Sequence, residues 1–328
     1  MSGTQTQRAA VRFGTRGSLL ARTQSGQVAD AFAAATGREV ELVEIRTEGD
    51  ASSAPLASMG GAGVFVGALR EALLEGRVDV AVHSLKDLPT APAEGLQVAA
   101  VPPREDPRDV LVARDGMTLG ELPVGSVVGT GSPRRVSQIH ALGLGLELVG
   151  VRGNVDTRIN KVASGELDGV VLAHAGLSRL GRAPEATELL DPIQVLPAPG
   201  QGALAVECRA DDPLAEELRT HLDDPRTRAA VTAERAVLAG LEAGCSAPVG
   251  ALAEVVEGED GEELWVRAVA LSHDGAVAVR RSGSGPTQDA GRVGHDLATE
   301  MLGEGAAELM QDDETGPHGH PTPSEAVT

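Results

Sequence analysis

Short apolar runs separated by helix-spaced stretches occupy most of residues 10–220. VELVEI (40–45), VDVAVHSL (78–85), LQVAAV (96–101), DVLVA (109–113), SVVGT (126–130), LELVGV (146–151), DGVVLA (168–173) and ALAVEC (203–208) read as strands. Stretches at about 18–36, 64–75, 133–142 and 154–164 carry helical spacing, with Val28, Ala31, Phe32 and Ala35 on one face of the first. Strands alternating with helices predict α/β layers with largely parallel sheets.

Two proline- and glycine-rich segments, VPPREDPRD (101–109) and LPAPGQG (196–202), bracket a block with its own βα alternation. A block inserted between two such connections predicts a two-lobed molecule with a double hinge. Ligands in that architecture sit in the interlobe cleft, at strand C-termini and helix N-termini. After residue 223 the pattern changes. A helix over 223–244 offers Val231, Leu238 and Leu241 for burial. AEVVEG, ELWVRAVAL and AVAVRRSG then alternate around the turn signals EGEDGE and SHDG, predicting an antiparallel three-stranded sheet, and a last helix covers 288–310. The expected division is a split first α/β lobe (9–102 and 203–220), an inserted second lobe (108–196), a small α+β domain (223–311) and a polar, disordered tail (312–328). His318 and His320 lie on that tail, and no metal site is expected from them.

Composition narrows the chemistry. The 328 residues carry a formal net charge of −20, one Trp, three Phe and no Tyr. The cores must therefore be built from Ala, Val and Leu. Nucleic-acid binding is disfavoured, because phosphate tracking needs basic surfaces and single-strand binding needs stacking rings. The N-terminal MSGTQTQRAAVRFG lacks an export signal's apolar core, and no apolar run is long enough to span a bilayer. A cytoplasmic protein with two reduced thiols, Cys208 and Cys245, is expected.

Against this acidic background, GSPRR (131–135) and VRGNVDTRINK (151–161) gather four arginines and a lysine. Guanidinium forks pair with carboxylate or phosphate oxygens two at a time, so the cluster points to an anionic ligand. Ser132 reads as an N-cap and Pro133 as the first helical residue, which would turn free N–H groups and the arginines toward one anion. The plainer reading is an ordinary capped helix, which leaves the doubled charge unexplained. Asn154 reads as a second cap, with Arg152 before it and Arg158 one turn on. Asp156 could pair with a neighbouring arginine as a surface bridge.

VAVHSLKDLP (80–89) runs an apolar strand into His83, Ser84, Lys86 and Asp87. The Asp87 carboxylate could stabilise a cation or shuttle a proton; the plainer alternative is a Lys–Asp surface pair. His83 reads as a packing histidine. The GGAG of 56–69 lacks a P-loop's ending and reads as a cleft lid. Cys245, in AGCSAPVG, has small neighbours that leave room for a covalent adduct, whereas Cys208 closes an apolar strand and reads as an inert core thiol.

Together, FGTRGSLLARTQ, HSLKDLP, REDPRD, VGTGSPRR, RGNVDTR, LAHAGLSRLG, LPAPGQGA, TAER and GCSAPVG, in this order, resemble the porphobilinogen deaminase (hydroxymethylbilane synthase) family from about residue 13 to the final helix. The resemblance implies two α/β lobes like those of periplasmic binding proteins, plus a small α+β domain bearing a cofactor cysteine. It implies a transferase of tetrapyrrole (haem) biosynthesis that condenses four porphobilinogen molecules head to tail to hydroxymethylbilane, releasing ammonia. It also implies a monomer and a covalent dipyrromethane cofactor on Cys245. By family position, Asp87 is catalytic. Ser84, Lys86, Thr130, Ser132, Arg134, Arg135 and Arg158 would hold the cofactor; Arg16, Ser18, Arg152, Arg158 and Arg179 would hold incoming substrate. The charge pattern agrees, since each porphobilinogen adds two carboxylates. Ala62 replaces the family's lid lysine, Pro133 stands where leucine is common, and Asp156 occupies a position often held by a small residue. A rival reading, a two-lobed anion-binding protein without catalysis, would need neither Cys245 nor Asp87, and fold alone does not separate the two.

Overall fold

The computed structural model describes residues 9–45, 63–244, 247–258 and 261–310. The expected lid position Ala62, the thiol of Cys245 and the tail with His318 and His320 lie outside the described residues.

One sheet has the order β2-β1-β3-β10-β4, from β1 (Val11–Thr15), β2 (Val40–Glu44), β3 (Val80–Ser84), β4 (Leu96–Ala100) and β10 (Leu204–Arg209). The second has the order β7-β6-β8-β5-β9, from β5 (Asp109–Ala113), β6 (Val127–Gly129), β7 (Glu147–Val149), β8 (Gly169–Ala173) and β9 (Glu188–Leu189). Helices α1 (Leu19–Thr36), α2 (Gly63–Leu74) and α6 (Leu214–Leu222) belong to the first lobe. Helices α3 (Pro133–Ala141), α4 (Val155–Ala163) and α5 (His174–Arg179) belong to the second.

Both sheets are mixed rather than simply parallel. β10 runs antiparallel to β3 and β4, and β5 antiparallel to β8 and β9. The reason lies in the crossings. A strand reached through a helix returns parallel, but β5 and β10 are entered directly from the other lobe. Leu204 pairs with Ser84 and Asp109 with Ala173, so each crossing enters its sheet at the C-terminal end of a parallel strand. The two hinge segments therefore lie along the edge where ligands of α/β sheets bind. β5 is buried along its whole length, as expected for a strand covered on both faces.

The cores are aliphatic, as the composition requires. Val11, Val28, Val80, Val206 and Leu218 pack around Phe13 and Phe32, whose ring centroids lie 5.8 Å apart. Leu111, Val128, Ile139, Val171 and Leu190 fill the second lobe. The lobes touch where α1 meets α5.

The chain then forms α7 (Pro225–Gly240), the antiparallel sheet β11 (Val249–Gly258), β12 (Gly261–Leu271) and β13 (Ala278–Pro286), and helices α8 (Ala290–Gly303) and α9 (Ala306–Leu309). Asp224 caps α7 by accepting the Thr227 N–H at 2.7 Å, with Pro225 in the first turn. The single helix expected over 288–310 is two, because Gly305 takes a left-handed φ of 90° between them. The fully buried Glu234 of α7 ties this part to both hinge segments. It pairs with Arg104 at 2.6 and 3.0 Å and accepts the Gly200 and Ala253 N–H groups at 2.6 and 2.8 Å. The β12–β13 turn also rests on α3. Ser137 Oγ donates to the His273 carbonyl at 3.0 Å, and a Cβ on Gly275 would come within 2.2 Å of the Ser137 carbonyl.

Candidate active site

β3 is buried until Ser84, where the chain tightens into a 3-10 turn, Leu85–Asp87, before Pro89. That turn is held on two sides. The Leu85 N–H donates to the Ala203 carbonyl at 3.0 Å, and Arg235 of α7 donates to the Leu88 and Pro89 carbonyls at 2.8 and 2.6 Å. Lys86 and Asp87 thus project from a fixed turn at a sheet's C-terminal edge, and both are half-buried. Ser84 Oγ donates to Gln24 Oε1 at 3.2 Å. His83 is buried against Glu207 at 3.2 Å, and Glu207 also pairs with Arg70, so this histidine has the packing role expected of it. Cys208 is likewise a core thiol, pushed up to about 11 by burial first and then by Asp212.

In the second lobe, β6 leads through Thr130 into α3. Thr130 is buried, and its Oγ1 accepts the Ser132 N–H at 3.3 Å. Ser132 holds the N-cap position with Pro133 behind it, yet its side chain makes no capping hydrogen bond, contrary to the expectation. Arg134 and Arg135 are only 3% and 5% exposed, far more buried than the surface arginines of a plain capped helix. Both reach one carboxylate. Arg134 Nη2 donates to Asp109 Oδ2 at 2.8 Å and Arg135 Nη2 to Asp109 Oδ1 at 2.6 Å. Gln201 Nε2 donates to Asp109 Oδ1 at 2.8 Å, while Gln201 Oε1 accepts from Lys86 Nζ at 3.3 Å. The cluster thus joins the first lobe, both hinge segments and the second lobe.

Its electrostatics follow from burial and proximity. Burial alone would raise the Asp109 carboxyl, but Arg134, Arg135 and their hydrogen bonds outweigh it and hold the group far below the usual carboxylate range. Arg134 is lowered by burial and by Arg135, against the pull of Asp109. Lys86 is pulled down to about 8, by burial first; Asp87 and Asp109 oppose that shift, and Arg134 and Arg135 add to it. Arg158 is lowered by burial and by Arg135, which places it beside the cluster, and its Nε donates to the Gly153 carbonyl at 2.8 Å.

The remaining candidates are placed as follows. Arg179 of α5 donates to the Gly202 carbonyl at 2.7 Å, beside Gln201; burial lowers it and Glu105 opposes. Ser18 caps α1, accepting the Ala21 N–H at 3.3 Å, next to the half-buried Arg16. Arg152 is exposed before α4, whose cap Asn154 accepts the Thr157 N–H at 2.8 Å as expected. Asp156 turns away from these arginines and pairs with Arg182.

Comparison with known proteins adds the decisive observation. Residues 11–217 match the family model described as porphobilinogen deaminase, dipyrromethane cofactor binding domain, and residues 228–303 match the family's C-terminal domain. The chain belongs to the porphobilinogen deaminase family. Porphobilinogen deaminase of Mycobacterium tuberculosis is 61% identical over 305 residues, covering 92% of this chain and 98% of that protein. The Mycobacterium marinum porphobilinogen deaminase is 57% identical over 314 residues, covering 94% and 99%. Among solved structures, the methionine-binding protein MetQ aligns with 65% of this chain and 89% of its own, at 12% identity and a TM-score of 0.43.

The residues present suit the family's dipyrromethane. Its side chains are carboxylates, and the site offers Lys86, Arg134, Arg135 and Arg158 beside two carboxylates among the described residues, the buried Asp109 and the half-buried Asp87. Arg134 Nε and Arg135 Nε are buried without a hydrogen-bond partner among the described residues. Buried donors left unmet are costly, and a carboxylate ligand would meet them. Asp109 and Gln201 belong to this site without being among the residues expected from the sequence. Their signals were an acidic residue opening an all-apolar strand and a glutamine inside a hinge segment.

The lowered Lys86 carries a pH prediction. Between about pH 8 and 10.5 the unfolded chain keeps this proton and the ligand-free fold releases it, so this group makes the ligand-free fold more stable as pH rises through that window. Over the same range the site loses an ammonium. Cofactor-free protein incubated with porphobilinogen should therefore load cofactor progressively more slowly above about pH 8 than Lys86→Arg does at the same pH. Intact mass against time measures this, and a wild-type to variant ratio that stays constant up to pH 9.5 would contradict it.

Proposed function

We infer that this chain is a hydroxymethylbilane synthase, joining four porphobilinogen molecules head to tail with loss of one ammonia per ring. It works in the cytoplasm as a monomer, on a dipyrromethane held through Cys245. Its units are a split first lobe (9–102 and 203–220), an inserted second lobe (108–196) and a third domain (223–311). The observation that carries the reading is the meeting of Lys86 and Asp87, at the end of β3, with the buried Arg134 and Arg135 across the hinge. Carboxylate-binding cations and the Asp87 carboxylate then lie together where the lobes meet at the hinge.

When bound, the dipyrromethane supplies the terminal pyrrole carbon that accepts the first ring. Lys86, Arg134, Arg135 and Arg158 neutralise its carboxylates, with Ser84, Thr130 and Ser132 as hydroxyl partners. Arg16, Ser18, Arg152, Arg158 and Arg179 take the acetate and propionate of each incoming porphobilinogen and so fix its ring. Asp87 faces the positive charge that builds on that ring as the carbon–nitrogen bond of its aminomethyl group breaks and ammonia departs. A fixed carboxylate aimed at developing charge in a partly dehydrated cleft lowers the barrier. After carbon–carbon bond formation, a proton leaves the pyrrole carbon, and Asp87 is placed to receive it.

The test is stoichiometry. Purified protein given porphobilinogen should release one ammonia per porphobilinogen consumed and yield a linear tetrapyrrole. Saturable binding of porphobilinogen without ammonia release would favour the non-catalytic anion-binding reading.

A further inference from the structure

The PRR segment at the start of α3 crowds two guanidinium groups that repel one another, and the fold answers with a carboxylate. Asp109 opens β5 at the hinge and is fully buried. Each of its oxygens accepts an Nη2–H from one arginine, and Oδ1 also accepts from Gln201, which in turn donates to the Pro107 carbonyl at 2.7 Å. The Nη1 groups are engaged as well, Arg134 with the Leu196 carbonyl and Arg135 with the Val171 carbonyl at 3.0 Å. Of the six guanidinium nitrogens, the two Nε, both buried, are the ones with no hydrogen-bond partner among the described residues.

We propose that Asp109 is a positioning residue of the cofactor site. It grips both forks by their outer nitrogens, so that their Nε–H donors stay together for ligand carboxylates. This assignment rests on the function proposed above. Charge alone argues the reverse, because a carboxylate close to an anion site repels the anion. Geometry outweighs that term here. Without Asp109, two buried like charges would face each other with their Nη2 donors unmet, and the forks would splay. The hydrogen bond from Gln201 matters for the same reason, since it fixes the oxygen that Arg135 uses.

The two accounts give opposite signs for Asp109→Asn, which preserves size and removes the charge. Cofactor-free wild type and variant, made in cells that cannot synthesise porphobilinogen, are incubated with porphobilinogen. The dipyrromethane-bearing fraction is followed by intact mass, and thermal melting reports the fold. The variant should load about 100-fold more slowly, given the worth of charge-assisted hydrogen bonds, while melting in one cooperative transition. A folded variant that loads at the wild-type rate or faster overturns the proposal and leaves Asp109 a mere counter-charge. Gln201→Met leaves every charge in place and covers the case in which the first variant does not fold. It should load about tenfold more slowly, the worth of one such bond, and wild-type loading would overturn the proposal. Wild-type protein that never acquires a dipyrromethane would instead sink the functional reading itself.

Discussion

Asp87→Asn should still bind porphobilinogen while ammonia release slows by about a thousandfold. The variant keeps the size and hydrogen-bonding reach of the side chain and removes the negative charge. The lost interaction belongs to the transition state, where positive charge builds on the incoming ring, more than to the bound substrate, so turnover suffers and binding largely survives. Removing one preorganised electrostatic partner from a dehydrated site costs about two to three orders of magnitude, and the proposed mechanism also gives Asp87 the final proton. Asp87→Glu retains the charge but displaces it from the turn that Ala203 and Arg235 pin, and should keep a small residual rate. Single-turnover ammonia release, with mass analysis of enzyme–pyrrole species, reads both variants. An Asn variant that elongates at the wild-type rate would remove Asp87 from the mechanism.

Cys245→Ser should abolish the covalent cofactor, and with it all turnover, because a serine hydroxyl offers no comparable nucleophile at neutral pH. Cys208→Ser should load normally. Cys208 is buried at the end of β10, and its thiol is pushed up to about 11, so little thiolate is available there to form an adduct. Peptide mapping by mass spectrometry separates the two. An adduct on the peptide containing Cys208, or full loading of Cys245→Ser, would overturn the assignment.

The short-range features of the fold could be read from the chain, and the long-range ones could not. The cap at Asn154 and the strand running into Lys86 and Asp87 depend on residues a few positions apart, and the structure has them, whereas the cap expected on the same grounds at Ser132 makes no capping hydrogen bond. β1 is not among the expected strands, because VRFGT mixes an arginine and a glycine into five residues and leaves little alternation. The reversed direction of β5 and β10 is set by where the hinge delivers the chain, which no local period encodes. In the site, the doubled arginine was visible but its internal partner was not. Asp109 lies 25 residues before Arg134 and meets it only because β5 borders β8 in the folded sheet. Asp156 shows the same limit. Its neighbours in sequence are Arg152 and Arg158, yet its partner is Arg182.

A chain that builds a pyrrole polymer on a thiol of its own carries that polymer in its mass. Intact mass of the purified protein, before and after a brief exposure to limiting porphobilinogen, tests it most directly. The expected result is a starting mass above that of the polypeptide by one dipyrromethane, then a ladder of species each heavier by one porphobilinogen less ammonia, all mapping to the peptide with Cys245. A polypeptide of unmodified mass that binds porphobilinogen only reversibly, with no ladder, would contradict it.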